Sequence, residues 1–273
     1  MTSVPPGIGR LRRKRVRPPV LTLALAVLGA ALFAIPLFAM LIRAPWADAW
    51  SIITDSPVRT ALRLSLVCSL SATAISFVLG VPLAWVQARF EFPGRSLLRA
   101  ITTLPVVLPP VVGGVALLLA LGRNGIVGRY LYEWFSIRLP FSMAGAIVAE
   151  TFVSMPFLVL SMEGAFASAD QRFEEAAATL GASRWTILTR VTVPALRPAL
   201  VAAGVLCWAR ALGEFGATIT FAGNFPGTTQ TVPLAVYQAF ETNPPAAIML
   251  SLALVAISLT ILLTLRNRLV VRP

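Results

Sequence analysis

Four stretches of this chain run for 23 or 24 residues without a charged side chain: Val20–Ile42, Leu64–Val86, Ala100–Gly122 and Thr242–Leu265. About 20 apolar residues are enough for a helix to cross the hydrocarbon core of a bilayer. Two further runs qualify with internal charges, Leu139–Met162 with Glu150 and Pro198–Ala222 with Arg210 and Glu214. The expectation is therefore an all-α integral membrane protein with six transmembrane helices, at about 20–42, 61–87, 100–122, 139–162, 198–222 and 244–265, in a membrane domain of residues 19–268. Composition agrees. Only 12% of residues are charged, where soluble domains carry about 25%, and the mean hydropathy is +0.82.

The net charge of +12 would suggest nucleic acid as a partner of a soluble protein. Here the basic residues follow topology instead. With the N-terminus in the cytoplasm, sixteen of the 23 basic residues fall on that side, six fall outside, and Arg210 lies within the membrane. This bias is the positive-inside rule, and it predicts a multi-pass plasma-membrane protein with both termini cytoplasmic. Residues 1–18 form a Pro/Arg-rich tail whose charges suit anionic headgroups. The uncharged run after it is much longer than the hydrophobic part of a signal peptide, so an uncleaved first helix is expected.

Several chemistries are excluded or disfavoured. The chain has no histidine, which removes His-based zinc sites and Ser-His or Cys-His catalysis, and it has no GxxxxGK[ST] phosphate loop. Cys68 and Cys207 both fall inside predicted spans as small apolar fillers, without implying a disulfide. An intramembrane enzyme would need a cluster of acids, a Ser/Lys pair or a metal constellation at one depth, and the spans offer only Glu150 and Glu214.

The third run, ITTLPVVLPPVVGGVALLLALG, places Pro105, Pro109, Pro110, Gly113 and Gly114 within ten residues. Proline removes a donor and clashes with the preceding turn, so a straight helix is not expected. Two readings fit: a kink that serves packing, or a broken helix beside a wet pathway. After the fifth run, Leu234, Tyr237 and Phe240 recur at helical spacing in an external segment that lies in the interface or dips back as a gate.

The long polar interlude is cytoplasmic, EEAAATLGASRWTILTRVTVP from Glu174 to Pro194. Ser168 and Gln171 have capping-box spacing, and Asp170, Glu174 and Glu175 stand where a helix N-terminus favours acids. Gly181 suits a helix C-terminus, and Ser183 is placed to cap a second short helix. Two short helices joined at Gly181 are predicted, covering the bundle end or docking another protein. The small-residue run Ala176–Ala178 beside glutamates favours docking.

The order Glu175-Ala176-Ala177, three residues, Gly181, nine residues, then Val191-x-Val193-Pro194 resembles the "EAA" signature of ABC-importer permeases, E-A-A-x3-G-x9-I-x-L-P. Valine stands for isoleucine and leucine, which keeps the apolar character. In that family the segment is the coupling helix that inserts into the ATPase subunit. The resemblance thus implies a type I importer permease fold, with coupling segment 168–194 and contact residues Glu174, Glu175, Ala176, Ala177, Gly181 and Pro194. The stretches Gly213–Phe221 and Asn224–Thr231 resemble molybdate permeases, whose sulfate and tungstate relatives share much of the pattern; together the resemblance spans residues 55–265. It implies a homodimer in the bacterial inner membrane, two cytoplasmic ATPases that use the ATP, an external molybdate-binding protein, and no cofactor on this chain. Sulfate or tungstate is the near alternative. A stand-alone channel or secondary transporter is the alternative of another class, and it would show repeated halves and no docking motif.

For a small tetrahedral dianion the pathway candidates are Arg210, Glu214, Glu150, Thr218, Thr220 and Asn224. Arg210 and Glu214 share a helix face and can pair. The pair is either an anion-attracting group with its restraint or an internal brace, and a lone carboxylate facing a dianion favours the brace. Glu150 has no obvious partner. Pairing with Arg210, a hydrogen bond to broken backbone in the third helix, and a neutral carboxyl are the options.

Overall fold

The computed structural model describes residues 19–269, the side chains of 262 and 264–269 excepted; the basic tail lies outside that range. The chain forms two compact units, residues 1–43 and 44–273. The described part of the first is a single helix, α1 (Val20–Arg43), apolar along its length with Pro36 inside it.

In the second unit a 3-10 turn at Trp46–Asp48 and α2 (Ala49–Thr54) lead to α3 (Ser56–Arg89). The Asp55 carboxylate accepts from Ser56 N at 2.8 Å and starts this helix. At 34 residues, α3 is about 51 Å long, so it outruns the hydrocarbon core and carries its C-terminus beyond it. It continues through Pro82, past the expected start and end of the second span. Its last carbonyls are held by guanidiniums from the next helix. Arg95 Nε donates to Gln87 O at 2.7 Å and Arg99 Nη2 to the same oxygen at 3.0 Å. Cations at a helix C-terminus satisfy orphan carbonyls and complement the dipole.

The third apolar run is divided into α4 (Arg95–Val107) and α5 (Pro110–Leu121). Leu108 and Pro109 between them are extended, and Pro110 opens α5 in the first turn, where a missing N–H costs nothing. Then follow α6 (Gly128–Phe135), α7 (Met143–Ser168), α8 (Arg172–Thr179), α9 (Arg184–Ile187), a π-helical turn at Leu188–Thr192, and α10 (Val193–Ala195). The fifth run gives α11 (Arg197–Leu212), a break, and α12 (Gly216–Phe221); α13 (Val232–Thr242) and α14 (Pro244–Leu269) close the chain.

Among the described residues, four helices are long and apolar enough to cross a membrane: α1, α3, α7 and α14 over Pro244–Ile261. The segment Arg184–Ala195 meets α11 at 81°. Six uninterrupted helices are therefore not what forms. The third run breaks at its prolines, and the fifth breaks where Gly213 and Gly216 lower helix propensity.

The core lies where α3, α7 and α11 pack together. Val81 and Ala84 of α3, Leu158, Met162 and Phe166 of α7, and Ala203 and Cys207 of α11 form one buried cluster, which Leu188 joins from the π-helical turn. The two cysteines are buried and free, in keeping with their role as filler. The segment after α12 folds inward rather than lying on the surface. Thr229, Thr231, Val232 and Leu234 are buried, and Val232 N donates to Ser65 Oγ of α3 at 2.6 Å. Tyr237 and Phe240 remain exposed.

The helices α5 and α12 approach so closely that a Cβ on Gly114 would stand 2.6 Å from Thr220 Cβ and 3.0 Å from Ala217 O. Gly114→Val is expected to destabilise the fold by about 1–3 kcal/mol through overpacking. The check is the thermal midpoint of the purified chain in detergent. Gly164→Ala, where the added carbon meets open space, is expected to leave the midpoint unchanged or raised.

Candidate functional site

The polar interlude is shaped by its ends. Asp170 Oδ1 accepts from Arg172 N at 3.0 Å and starts α8. The Ser168–Gln171 capping box does not form, because Ser168 ends α7 and its hydroxyl donates to Ala165 O at 3.1 Å. Glu174 and Glu175 lie in the first turn of α8, where their charge favours the exposed N–H groups. The helix closes in a Schellman motif. Ala182 N donates to Ala177 O and Gly181 N to Ala178 O, both at 3.0 Å, with Gly181 at φ +82°. That left-handed residue turns the chain into α9, whose Ser183 hydroxyl accepts from Thr186 N at 3.1 Å.

The two glutamates then part company. Glu174 turns inward: Arg89 Nη2 at the end of α3 stands 2.8 Å from its Oε1, and Thr192 Oγ1 donates to the same oxygen at 3.1 Å. One carboxylate thereby ties α8, α3 and the π-helical turn together. Glu175 is exposed, with Ala176, Ala178, Gly181, Phe173, Leu180 and Trp185 around it, while Ala177 is half-buried. At the far end, Leu188 and Thr192 are buried, Val193 packs on the core cluster, and Pro194 is half-buried. Arg184 stacks over the Phe90 ring at 5.0 Å, and a cavity of about 260 Å³ opens among Trp85, Arg89, Glu174, Glu175 and Arg184. A second brace nearby is the Arg99–Glu163 ion pair between α4 and α7.

Deeper in the bundle the two helix breaks meet. A Cβ on Gly216, just after the α11–α12 break, would stand 2.9 Å from Pro110 Cβ and 3.1 Å from Val111 N, just after the α4–α5 break. Glu214 closes its own break: Oε1 accepts from Ala217 N at 2.8 Å, and Oε2 lies 2.6 Å from Arg210 Nη1 as a close ion contact. The carboxylate is 1% exposed and the arginine side chain 27%. Each charge has its counter-charge, and the carboxylate also accepts from the first turn of α12.

Glu150 does not pair with Arg210. It is 1% exposed on α7, and its Oε2 lacks a hydrogen-bond partner. Thr218 Oγ1 and Asn224 Oδ1 are also buried without partners, whereas Thr220 Oγ1 donates to Gly216 O at 2.8 Å in its own helix. Sequence reasoning missed Ser154, whose buried Oγ is likewise unpaired, and the buried Ser65, Ser69, Thr73 and Ser76 on α3. The spacing of four, four and three residues along α3 was the available signal, masked by the apolar residues between.

This architecture, a helical bundle with interrupted spans and a helical loop docked on its end, is an ABC-importer permease fold. A chain of a bacterial ABC transporter involved in the import of the acidic polysaccharide alginate superposes with a TM-score of 0.73 at 19% identity, over 90% of this chain and 93% of that one. An inward-facing MetNI methionine transporter chain gives 0.59 at 18% identity, over 79% and 98%. Residues 76–272 match the family model "Binding-protein-dependent transport system inner membrane component", and the chain belongs to that family. The molybdenum transport system permease protein ModB of Mycobacterium tuberculosis is 48% identical over 87% of this chain and 90% of its own length. The Escherichia coli K12 protein of the same name is 43% identical over 77% and 93%. The sulfate transport system permease CysT of Escherichia coli K12 is 37% identical over 81% and 80%.

Glu174→Gln removes a charge from a largely buried pair and is expected to loosen α8 by about 1.5–3 kcal/mol, the scale of a hydrogen bond to a charged group. The readout is faster tryptic cleavage at Arg172 and Arg184 with a lower thermal midpoint. Glu175→Gln, on the exposed side, is expected to change neither.

Proposed function

We propose that this chain is the membrane-spanning permease subunit of an ATP-driven importer that carries molybdate across the bacterial inner membrane. The observation that carries the reading is the 48% identity to the Mycobacterium tuberculosis molybdenum permease over 87% of the chain, against 37% over 81% for the sulfate permease. Both termini face the cytoplasm, as the distribution of basic residues indicates. Two copies form a homodimer, two cytoplasmic ATPases hydrolyse the ATP, and an external binding protein delivers the dianion. The chain itself is non-catalytic and needs no cofactor.

The coupling role falls to the outward side of segment 168–194: Glu175, Ala176, Gly181 and the apolar side chains of Phe173 and Leu180, with half-buried Ala177 behind them. Glu174 and Pro194 act from inside, joining that surface to the bundle. Closure of the ATPases pushes α8; the Glu174–Arg89 contact passes the push to α3, and the chain through the π-helical turn and α10 passes it to α11. Because α3 and α11 both pack on α7, the motion reaches the region where the two helix breaks meet. Alternating access follows from opening that region on one side and then the other. Thr218, Thr220, Asn224 and Glu150 are the polar candidates for the pathway. Arg210 offers attraction that Glu214 restrains, which suits a site the ion must also leave.

Sulfate remains a second cargo to test because CysT permeases are relatives at 37% identity. The test is uptake of labelled molybdate by cells or vesicles carrying the transporter with its ATPase and binding protein. Unlabelled tungstate and sulfate are added as competitors. Saturable uptake that excess sulfate leaves intact supports molybdate; uptake of labelled sulfate with molybdate excluded overturns it. Glu175→Lys, or Gly181→Val at its positive φ, is expected to leave ATP hydrolysis uncoupled from uptake with normal membrane levels. Normal transport by both variants would remove the docking role from this segment. Arg210→Gln is expected to lower uptake with the complex still assembled; loss of assembly instead assigns the pair to structure alone.

A further inference from the structure

At the end of α7 opposite the coupling segment, the connection from α5 through α6 gathers positive charge around one aromatic ring. Arg123 Nη2 donates to the Tyr132 hydroxyl at 3.3 Å and Arg138 Nη2 donates to it at 3.0 Å. Both guanidiniums lie over the same ring, at 4.6 and 4.8 Å from its centroid. The Arg138 hydrogen bond first, and then the charges of Arg123 and Arg138, hold the Tyr132 hydroxyl below the ordinary phenol range. Neither arginine belongs to any of the three ion pairs found among the described residues. Two cations thus converge without an anion.

The pair stands on the wall of a cavity of about 490 Å³. Its other walls are mostly hydrocarbon, with Leu118 and Leu121 from α5 and Leu139, Pro140 and Phe141 from the approach to α7. A free dianion would lose hydration against those walls and gain nothing from them. Beside the cavity, α6 presents Trp134 and Phe135 outward at 71% and 65% exposure, and Ile126 ahead of it is 76% exposed. Arg129 stacks on Tyr130 at 4.5 Å. Exposed tryptophan and phenylalanine interleaved with arginine mark the level where headgroups meet acyl chains.

We propose that this cavity is an anionic-phospholipid site, with Arg123 and Arg138 holding the headgroup phosphate and the leucine-lined wall taking the start of an acyl chain. Phosphate oxygens accept from guanidinium forks, and the apolar wall supplies the second half of an amphiphile's chemistry. A lipid held there would lock the α5–α6–α7 connection against the membrane surface at the end where α5 joins α12.

The test uses the full chain in neutral detergent with equal amounts of dioleoyl-phosphatidylglycerol and dioleoyl-phosphatidylcholine, with retained lipid read by native mass spectrometry. Wild-type protein is expected to retain phosphatidylglycerol about thirtyfold over phosphatidylcholine, the scale of two arginines near a lipid surface. The Arg123→Gln/Arg138→Gln double variant is expected to lose that preference. Leu121→Trp, which fills the cavity and keeps both cations, is expected to reduce it. Equal retention of the two lipids by wild-type protein, a measurement that needs no variant, overturns the proposal. So does displacement of phosphatidylglycerol by millimolar inorganic phosphate with Leu121→Trp unaffected, which makes this a free-oxyanion site. A double variant that keeps its lipid preference but loses ATP hydrolysis stimulated by the binding protein assigns the arginines to protein docking and overturns it as well.

Discussion

A peptide group that leaves a helix at membrane depth must find its partner inside the protein, and among the described residues two of the apolar runs are interrupted. The interruptions at Leu108–Pro109 and Gly213–Phe215 are set against each other, with Gly216 lying on Pro110 and Gly114 on Thr220. Proline removes donors on one side of that contact, and a buried carboxylate supplies an acceptor on the other, where Glu214 takes Ala217 N. The long helices α3 and α7 serve as the frame that holds the breaks in register. Replacing the glycines there would separate α5 from α12 and leave both breaks without cover.

The same economy operates at the other end of the frame. Within the loop segment, α8 is anchored by one carboxylate rather than by buried surface of its own. Glu174 reaches Arg89 and Thr192, while the face of α8 that carries Glu175 stays bare. Adjacent residues on a helix point about 100° apart, so one of two consecutive glutamates can be structural while the other is free for a partner. The signature's apolar end, Val193 and the residues after it, is rooted in the core cluster; its glycine end is exposed. A segment fixed at one end and presented at the other is suited to carry a push into the bundle.

Much of this was legible in the sequence. The long apolar runs stand out because lipid tolerates so few charges, and the proline cluster in the third run announces a break. Gly181 and Ser183 gave the turn and the cap correctly, because both act through local backbone geometry. Three features were hidden. The end of α11 at Leu212 falls inside an apolar run, where hydropathy is blind to helix continuity. The inward turn of Glu174 depends on Arg89, which is 85 residues away in sequence. Ser168 looked like a cap by spacing, yet α7 runs through it and Asp170 takes the role two residues later. Local rules failed where a neighbouring helix or a distant partner outweighed them.

The distribution of unpaired polar atoms argues about how the breaks are used. Glu150 Oε2, Ser154 Oγ, Thr218 Oγ1 and Asn224 Oδ1 are buried without partners, whereas the hydroxyls of Thr73, Ser76 and Thr220 bond back to their own helices. Burying an unpaired polar atom costs about 1–3 kcal/mol, so these four weigh against side chains that only pack. Arg210, by contrast, is already matched by Glu214. In the proposed importer, hydroxyl groups with a free O–H meet the dianion as donors while Arg210 is held half-neutralised by Glu214. The ion is then recognised by many weak contacts rather than one strong one, and a carrier that must release its cargo on each cycle needs that balance.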